Sequence, residues 1–408
     1  MAAPLKRSSM IAPWVLIAGG FHQQGGMDKA NAALAQYLIK QGVQVHLVAH
    51  HLDTLFYHQE GVMVHKVKRP VGSFFLGDWQ LAWHGQQVAK QITNQWPAAR
   101  VLVNGGNCAW PDINWVHSVH HAWPCSDLGA PLWFKAKNRL IKELARRQER
   151  RSIGKARIVL ANSQRTRRDL INYLKIDPNL VHTVYLGSDP NWGAITPAER
   201  VQARAQLGIV DERPLVIFVG ALSHDQNKGL DILWSAWQQL STQTDWDAEL
   251  IVAGGGNGLV TWQRTIAQAG MAGRIHLLGF TNRVGELLAA ADLLVSPVRY
   301  EAYGLNVQEA ICRGIPALVS GQAGIAERYG AELKEMVLCD PENVADLSAK
   351  LIRWRANISY WQEQFLPLAT LLRRHSWHDM ASQIFALASS YQRVFSTNGE
   401  REGENNPS

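Results

Sequence analysis

Short apolar runs recur along the chain, and most are followed by a glycine or proline and then by an apolar pattern of helical period. Trp14-Val15-Leu16-Ile17-Ala18 opens the series as a strand. Gly19-Gly20 and Gln24-Gly25-Gly26-Met27 make a glycine-rich loop after it. A helix from about Asp28 to Gln41 carries Ala33, Leu34, Tyr37 and Leu38 on its apolar face. Gly42 ends it, and Val43 to Val48 is the second strand. This strand, loop, helix, strand unit is of the doubly wound type. Strands of the same kind follow at Val101–Asn104, Ile113–His117, Ile158–Ser163 and Val181–Asp189. Between Val48 and Val101 the pattern assigns no element. Ser163 is placed to cap a helix running to Tyr173.

The pattern restarts after Pro190 to Pro197, where two prolines and Gly193 mark a linker. Leu215–Gly220, Glu249–Ala253, Ile275–Phe280, Leu293–Val295 and Ala317–Val319 read as continuous buried strands of a second parallel sheet. Helices are predicted from Lys228 through Leu240, over 284–291 and 343–354, and from Ser376-Trp377 to Phe395. At 408 residues two domains are the natural count. The fold class is therefore α/β, with a first domain over 1–190, a second over 191–375 and a closing helix over 376–396. Residues 397–408 are polar and expected to be disordered.

Composition narrows this little. No apolar run approaches the roughly 20 residues that span a bilayer. The stretch Ile11–Ala18 is interrupted by Pro13 and lacks a cleavage-type end, so no signal peptide is expected. Four scattered cysteines without metal-type pairing point to a reduced, cytoplasmic setting. Charge is more informative. The chain carries a net +7, and ten Lys or Arg against Glu143 and Glu149 fall between Lys135 and Arg157. That basic helical region, from Pro131 to Ala156, is where an electrostatic partner would dock. Contact with an anionic acceptor or an anionic membrane surface through 135–157 is one expectation, and a merely solvated face is the other. Aromatics are not interleaved beyond Trp133 and Phe134, so nucleic acid is not expected.

The densest chemistry lies in Ser296 to Ala310. Pro297 stops a strand, Gly304 allows a close backbone approach, and a helix follows to Gly314 and Pro316. A helix start after a parallel strand presents unpaired N–H groups and a partial positive charge, which suits phosphate. Glu301 lies in the loop and Glu309 more than a turn into the helix, so they hold different parts of a ligand. Carboxylates there accept hydrogen bonds from hydroxyls. A diphosphate flanked by hydroxyl-bearing groups describes a nucleotide sugar.

Pro297 through Gly314, with Pro316, resembles the E-x7-E segment of retaining glycosyltransferases of family 4. The resemblance covers nearly the whole chain, more strongly in its second half. It implies the GT-B fold: two doubly wound Rossmann-like domains facing a cleft, with the last helix crossing back to the first domain. It implies transfer of a sugar from a UDP- or GDP-type donor to an acceptor hydroxyl of a glycan, lipid or small molecule, without a metal or other cofactor. Glu309 would hold the ribose and Glu301 the donor sugar. Gly304, Leu305 and Asn306 would offer backbone N–H groups to the phosphates, Tyr303 would be a further donor-binding residue, and Lys228, following Gly220, would neutralise the leaving diphosphate. Gly25 and Gly26 would face the diphosphate and the acceptor, and Gly279 and Phe280 the base. A histidine beside the donor sugar matches His117 or His120, in a cluster with His121, and the sequence does not choose. The chain departs from the family in two places. The basic residue after Gly220 is Ala221, with His224, Arg283 or Arg299 as candidate replacements, and the serine after Pro297 is Val298. A GT-B epimerase acting on the nucleotide sugar's own ring, or a non-catalytic binder of sugar nucleotides or polyanions, are the readings from other classes.

Overall fold

The computed structural model describes residues 11–70, 74–124, 132–189, 191–209 and 211–391. The tail 397–408, the last residues of the predicted closing helix, Pro131 and Pro190 lie outside the described residues.

Seven strands form the first sheet: β1 Trp14–Ile17, β2 Val45–Ala49, β3 Val62–Lys66, β4 Arg100–Asn104, β5 Ile113–Val116, β6 Ile158–Ala161 and β7 Val181–Thr183. All pairings are parallel, in the order β3-β2-β1-β4-β5-β6-β7. Six more form the second: β8 Leu215–Val219, β9 Glu249–Ala253, β10 Ile275–Gly279, β11 Leu293–Ser296, β12 Ala317–Ser320 and β13 Val337–Leu338. Their order is β10-β9-β8-β11-β12-β13, again parallel. Both sheets thus reverse direction beside their first strand, at β1/β4 and at β8/β11. Ligands of open parallel sheets bind outside the strand carboxyl ends at such a reversal.

The central strands are buried along their length, which is why they read as unbroken apolar runs rather than alternating ones. β3 is an edge strand and only half-buried. The long helix Phe74–Gln95 follows it, and neither element stands out in the apolar pattern. A helix Ile358–Arg373, with Pro367 inside it, was likewise not anticipated.

The closing helix Trp377–Ser390 does return to the first domain. Phe385 stacks near Trp14 and Tyr37, and Tyr37 meets the His378 ring edge-on at 4.9 Å. Its approach depends on Gly187, where a Cβ would overlap the Trp377 backbone. Beyond the first sheet, helix Pro197–Gln206 already belongs to the second domain. Arg200 bonds the Asp292 carboxylate at 2.7 Å, and Asp292 accepts the Leu215 amide at 2.8 Å. Among the described residues no helix is long and apolar enough to cross a membrane.

Candidate active site

Four loops of the second domain meet at the strand carboxyl ends, and glycines set their spacing. At Gly254 a Cβ would overlap the Gly220 carbonyl, and at Gly256 the Leu222 carbonyl. The turn Gly279–Phe280 rests on Gly255, and the Phe280 ring is 78% exposed at that edge. Gly229 has φ +76° and lies against the Pro297 carbonyl. Asn227 Nδ2 donates to the Tyr300 carbonyl at 2.8 Å, and the Arg299 amide donates to the Asn227 carbonyl at 2.8 Å. These ties bring Lys228 to Glu301, and the two side chains form an ion pair.

Gly304, at φ 106°, opens helix Leu305–Cys312, and no side chain caps that start. A Cβ at Gly304 would press on Ile325 at 3.0 Å, with the Glu301 side chain at 3.7 Å. The ion pair therefore sits beside an uncapped helix N-terminus, where an anion is favoured. Asn306 turns its amide to the Val219 carbonyl at 3.1 Å and so ties the helix start to the end of β8.

First-domain loops close over this edge. Gly26 begins helix Gly26–Lys40 against the Leu305 side chain. Tyr300 accepts the Val119 amide at 2.8 Å, and Ser163 Oγ donates to the Ala302 carbonyl at 2.6 Å. Ser163 also caps helix Gln164–Leu174, as expected, and Glu327 of the second domain accepts the Gln164 and Arg165 amides of that same helix start. Lys29 bonds Glu309 at 3.2 Å. Burial pushes the Glu309 carboxyl up, and Lys29 opposes that. The space left around Lys29, Glu309, Trp192 and Trp377 is only about 10 Å³.

The histidines divide in two. His120 and His121 both point Nδ1 at Glu149, at 3.1 and 2.8 Å, and their amides add further bonds to it. Burial works to raise the Glu149 pKa, but these bonds outweigh it and hold the carboxyl below its usual range. His120, a candidate for the donor side, is thus clamped to the basic helix through Nδ1. His117 follows β5, with its ring against Trp115, and its Nε2 is buried with no hydrogen-bond partner among the described residues. Burial lowers the His117 pKa to about 3, so the ring is neutral. Of the two, His117 is the one whose free ring nitrogen is buried; His120 is bonded to Glu149 through Nδ1 and is partly exposed.

His46 stacks on His65 between β2 and β3, and burial first, then the His65 charge, lower it to about 4. Both His117 and His46 are neutral when folded but take up protons near pH 6.5 when unfolded. Their stability contribution is complete above pH 6.5 and is lost as the pH falls toward about 4 and then about 3. Urea unfolding between pH 7 and 4 should show stability falling with acid, and His46→Gln should flatten that slope by up to one proton, about 1.4 kcal/mol per pH unit. An unchanged slope would show that the ring is protonated or solvated in the fold.

Other expectations are corrected. Tyr303 is no donor contact through its side chain: the ring is 2% exposed, lies near Tyr185, and its hydroxyl bonds Gln308. Arg299 does not replace the residue missing at Ala221. It is held by Asp231 at 2.7 and 2.9 Å, by Glu342 and by the Gln226 carbonyl. Arg283 pairs with Glu286 in the open, and His224 packs its ring on Phe134 of the first domain. An Asp-x-Asp spacing, a pattern found in metal motifs, does occur at Asp245-Trp246-Asp247. It precedes the amino end of β9, Trp246 is buried, and Arg355 grips Asp247 at 2.6 and 2.7 Å. Lys29, Tyr300, Glu149 and Glu327 were not anticipated, because each acts only across the two domains or on a distant loop.

Two doubly wound domains meeting at their strand carboxyl ends, with a returning last helix, define the GT-B class. Residues 24–192 match the family described as Glycosyltransferase Family 4, and residues 199–359 match Glycosyl transferases group 1. The chain belongs to the family 4-like glycosyltransferases of GT-B fold. Alpha-D-kanosaminyltransferase of Streptomyces kanamyceticus is 27% identical over 190 residues, 46% of this chain and 48% of that protein. The chain thus spans about half the length of curated relatives it matches. Among solved structures, WaaG, a glycosyltransferase involved in lipopolysaccharide biosynthesis, aligns with a TM-score of 0.73 at 18% identity, covering 93% of this chain and all of that one. Anabaena HepE, solved with UDP and glucose, aligns with a TM-score of 0.68 at 19% identity, covering 93% and 100%.

Proposed function

We propose that the chain moves a sugar from a nucleotide-diphosphate sugar to an acceptor hydroxyl, with retention of configuration and without a metal. One observation carries this: the Gly229–Pro297 contact brings Lys228 and Glu301 together beside the uncapped start of helix Leu305–Cys312. In this reading the diphosphate rests on the amides of Gly304, Leu305 and Asn306. Lys228 leaves Glu301 for the departing phosphate as charge develops there. Glu301 then accepts hydroxyls of the donor sugar, and His117 offers its buried Nε2 to another. Same-face attack needs no protein nucleophile, because the departing phosphate oxygen takes the acceptor proton. The exposed Phe280 supplies a face for the base.

A ribose held by Glu309 would take the place of the Lys29 contact. Because Lys29 and Glu309 lie on different domains, parting of the domains would free Glu309, and closure would then exclude water and align the reactants. The test is a thermal-unfolding screen of UDP-, GDP- and ADP-sugars. A fitting donor, at about 100 times its Kd, should raise the melting temperature by roughly 2–5 °C. No shift with any nucleotide sugar would contradict the reading.

A further inference from the structure

The first domain carries a second concavity, apart from the donor residues. Helix Phe74–Gln95 follows β3 and helix Leu132–Ile153 follows β5, so both pass the carboxyl edge of the first sheet. Between them lies a cavity of about 450 Å³, floored by Gly106 and Cys108 just after β4. That volume falls within the roughly 300–1,000 Å³ of small-molecule sites. One wall is aromatic. Trp79 and Trp83 are four residues apart on one helix face, and they are 66% and 50% exposed. Large apolar rings clustered at one opening mark a place where something binds. The opposite wall presents Arg147, Gln148 and Arg151, and Gln86 joins the aromatic side. Arg151 has no ion pair among the described residues, and the Arg147–Glu143 pair is solvent-exposed and contributes little.

Flat indoles suit the apolar face of a pyranose, and amides suit its hydroxyl rim. Among the described residues no buried carboxylate pairs with these two guanidinium groups, since Glu149 on the same helix is held by His120 and His121, so they call for an anion, which they bind in two-pronged fashion. The cavity floor is tied to the loop after β5. Gly106 packs on the Glu149 backbone, and the Glu149 carboxylate holds His120 and His121. Further up the same helix, Lys142 pairs with Asp225 of the second domain at 3.2 Å.

We propose that this cavity binds the acceptor, and that the acceptor's bound part is an acidic saccharide. The proposal rests on the transferase reading for the word acceptor, but the binding stands by itself. Calorimetric titrations would use three oligosaccharides of equal length, one neutral, one bearing uronic acid and one phosphorylated, alongside vesicles of anionic phospholipid. At least one acidic sugar should bind at least tenfold tighter than the neutral one, and which one it is identifies the source of the charge. Arg151→Gln should cut that preference below threefold, and Trp83→Ala should weaken acidic and neutral sugars alike by about tenfold. With donor present, the bound acidic sugar should gain one residue by mass spectrometry. Equal affinity for acidic and neutral sugars, a preference that survives Arg151→Gln, or salt-sensitive vesicle binding without sugar binding would each overturn the proposal. Both variants should keep the wild-type temperature shift with the donor, which shows that they fold. A wild type that binds the acidic sugar but shows no shift with any donor would remove the transferase reading and leave the cavity assignment.

Discussion

Glu301→Ala should lower turnover at least about a hundredfold while moving the melting temperature by no more than about 2 °C. The carboxylate is a quarter exposed, and its one recorded ion-pair partner, Lys228, is a third exposed, so neither becomes a stranded buried charge when the other is lost. The fold therefore changes little. Catalysis changes much, because the side chain lies over Gly304, at the helix start that the proposal gives to phosphate. A hundredfold loss corresponds to about 2.7 kcal/mol of transition-state stabilisation, the scale of a well-placed polar group. Turnover within threefold of wild type would remove Glu301 from its assigned role.

Gly229→Ala should be among the most damaging single changes in the second domain. Its φ of +76° is strained for any residue with a Cβ, and that Cβ would overlap the Pro297 carbonyl. Gly42 provides the control. Its φ is +73°, but a Cβ there meets nothing within 4 Å. Gly42→Ala should cost only the backbone strain, about 1–2 kcal/mol. Gly229→Ala should cost at least about 3 kcal/mol and also shift Lys228 off Glu301, so activity should fall further than stability. Equal losses of stability in the two variants would show that the close approach to Pro297 is not what makes glycine necessary.

Most of the fold was legible because it is built from strands buried on both faces. Leu215 to Val219 and Leu293 to Ser296 have no polar face to blur their runs, so their positions followed directly. Helix Phe74–Gln95 was hidden for the opposite reason. Its buried stripe of Leu81, Ala89 and Ile92 is thin, while Leu76, Trp79 and Trp83 put large apolar groups on the water side. Those outward rings are the same ones that frame the proposed acceptor cavity. The half-buried β3 was obscured by its edge position.

At the site, the motif located Glu301, Gly304 and Lys228, but their mutual contacts depend on Gly229 and Asn227, which carry no signal of their own. Tyr303 does not meet the donor because nearby loop residues face opposite ways: Tyr300 and Tyr303 turn inward while Glu301 stays a quarter exposed. Lys29 and Glu309 are 280 residues apart, and only domain closure joins them. Glu149 read as one acid in a basic stretch, yet burial among two histidines makes it the post that holds the loop after β5.

The central claim is that a diphosphate sits against the opening amides of helix Leu305–Cys312 with Lys228 beside it. Thermal-shift titration with the nucleoside mono- and diphosphates of the preferred base measures this most directly, in the wild type and in Lys228→Met. The second phosphate should add at least tenfold in affinity to the wild type, and most of that increment should vanish in the variant. Monophosphate and diphosphate binding alike, or an increment undiminished without the lysine, would contradict the account.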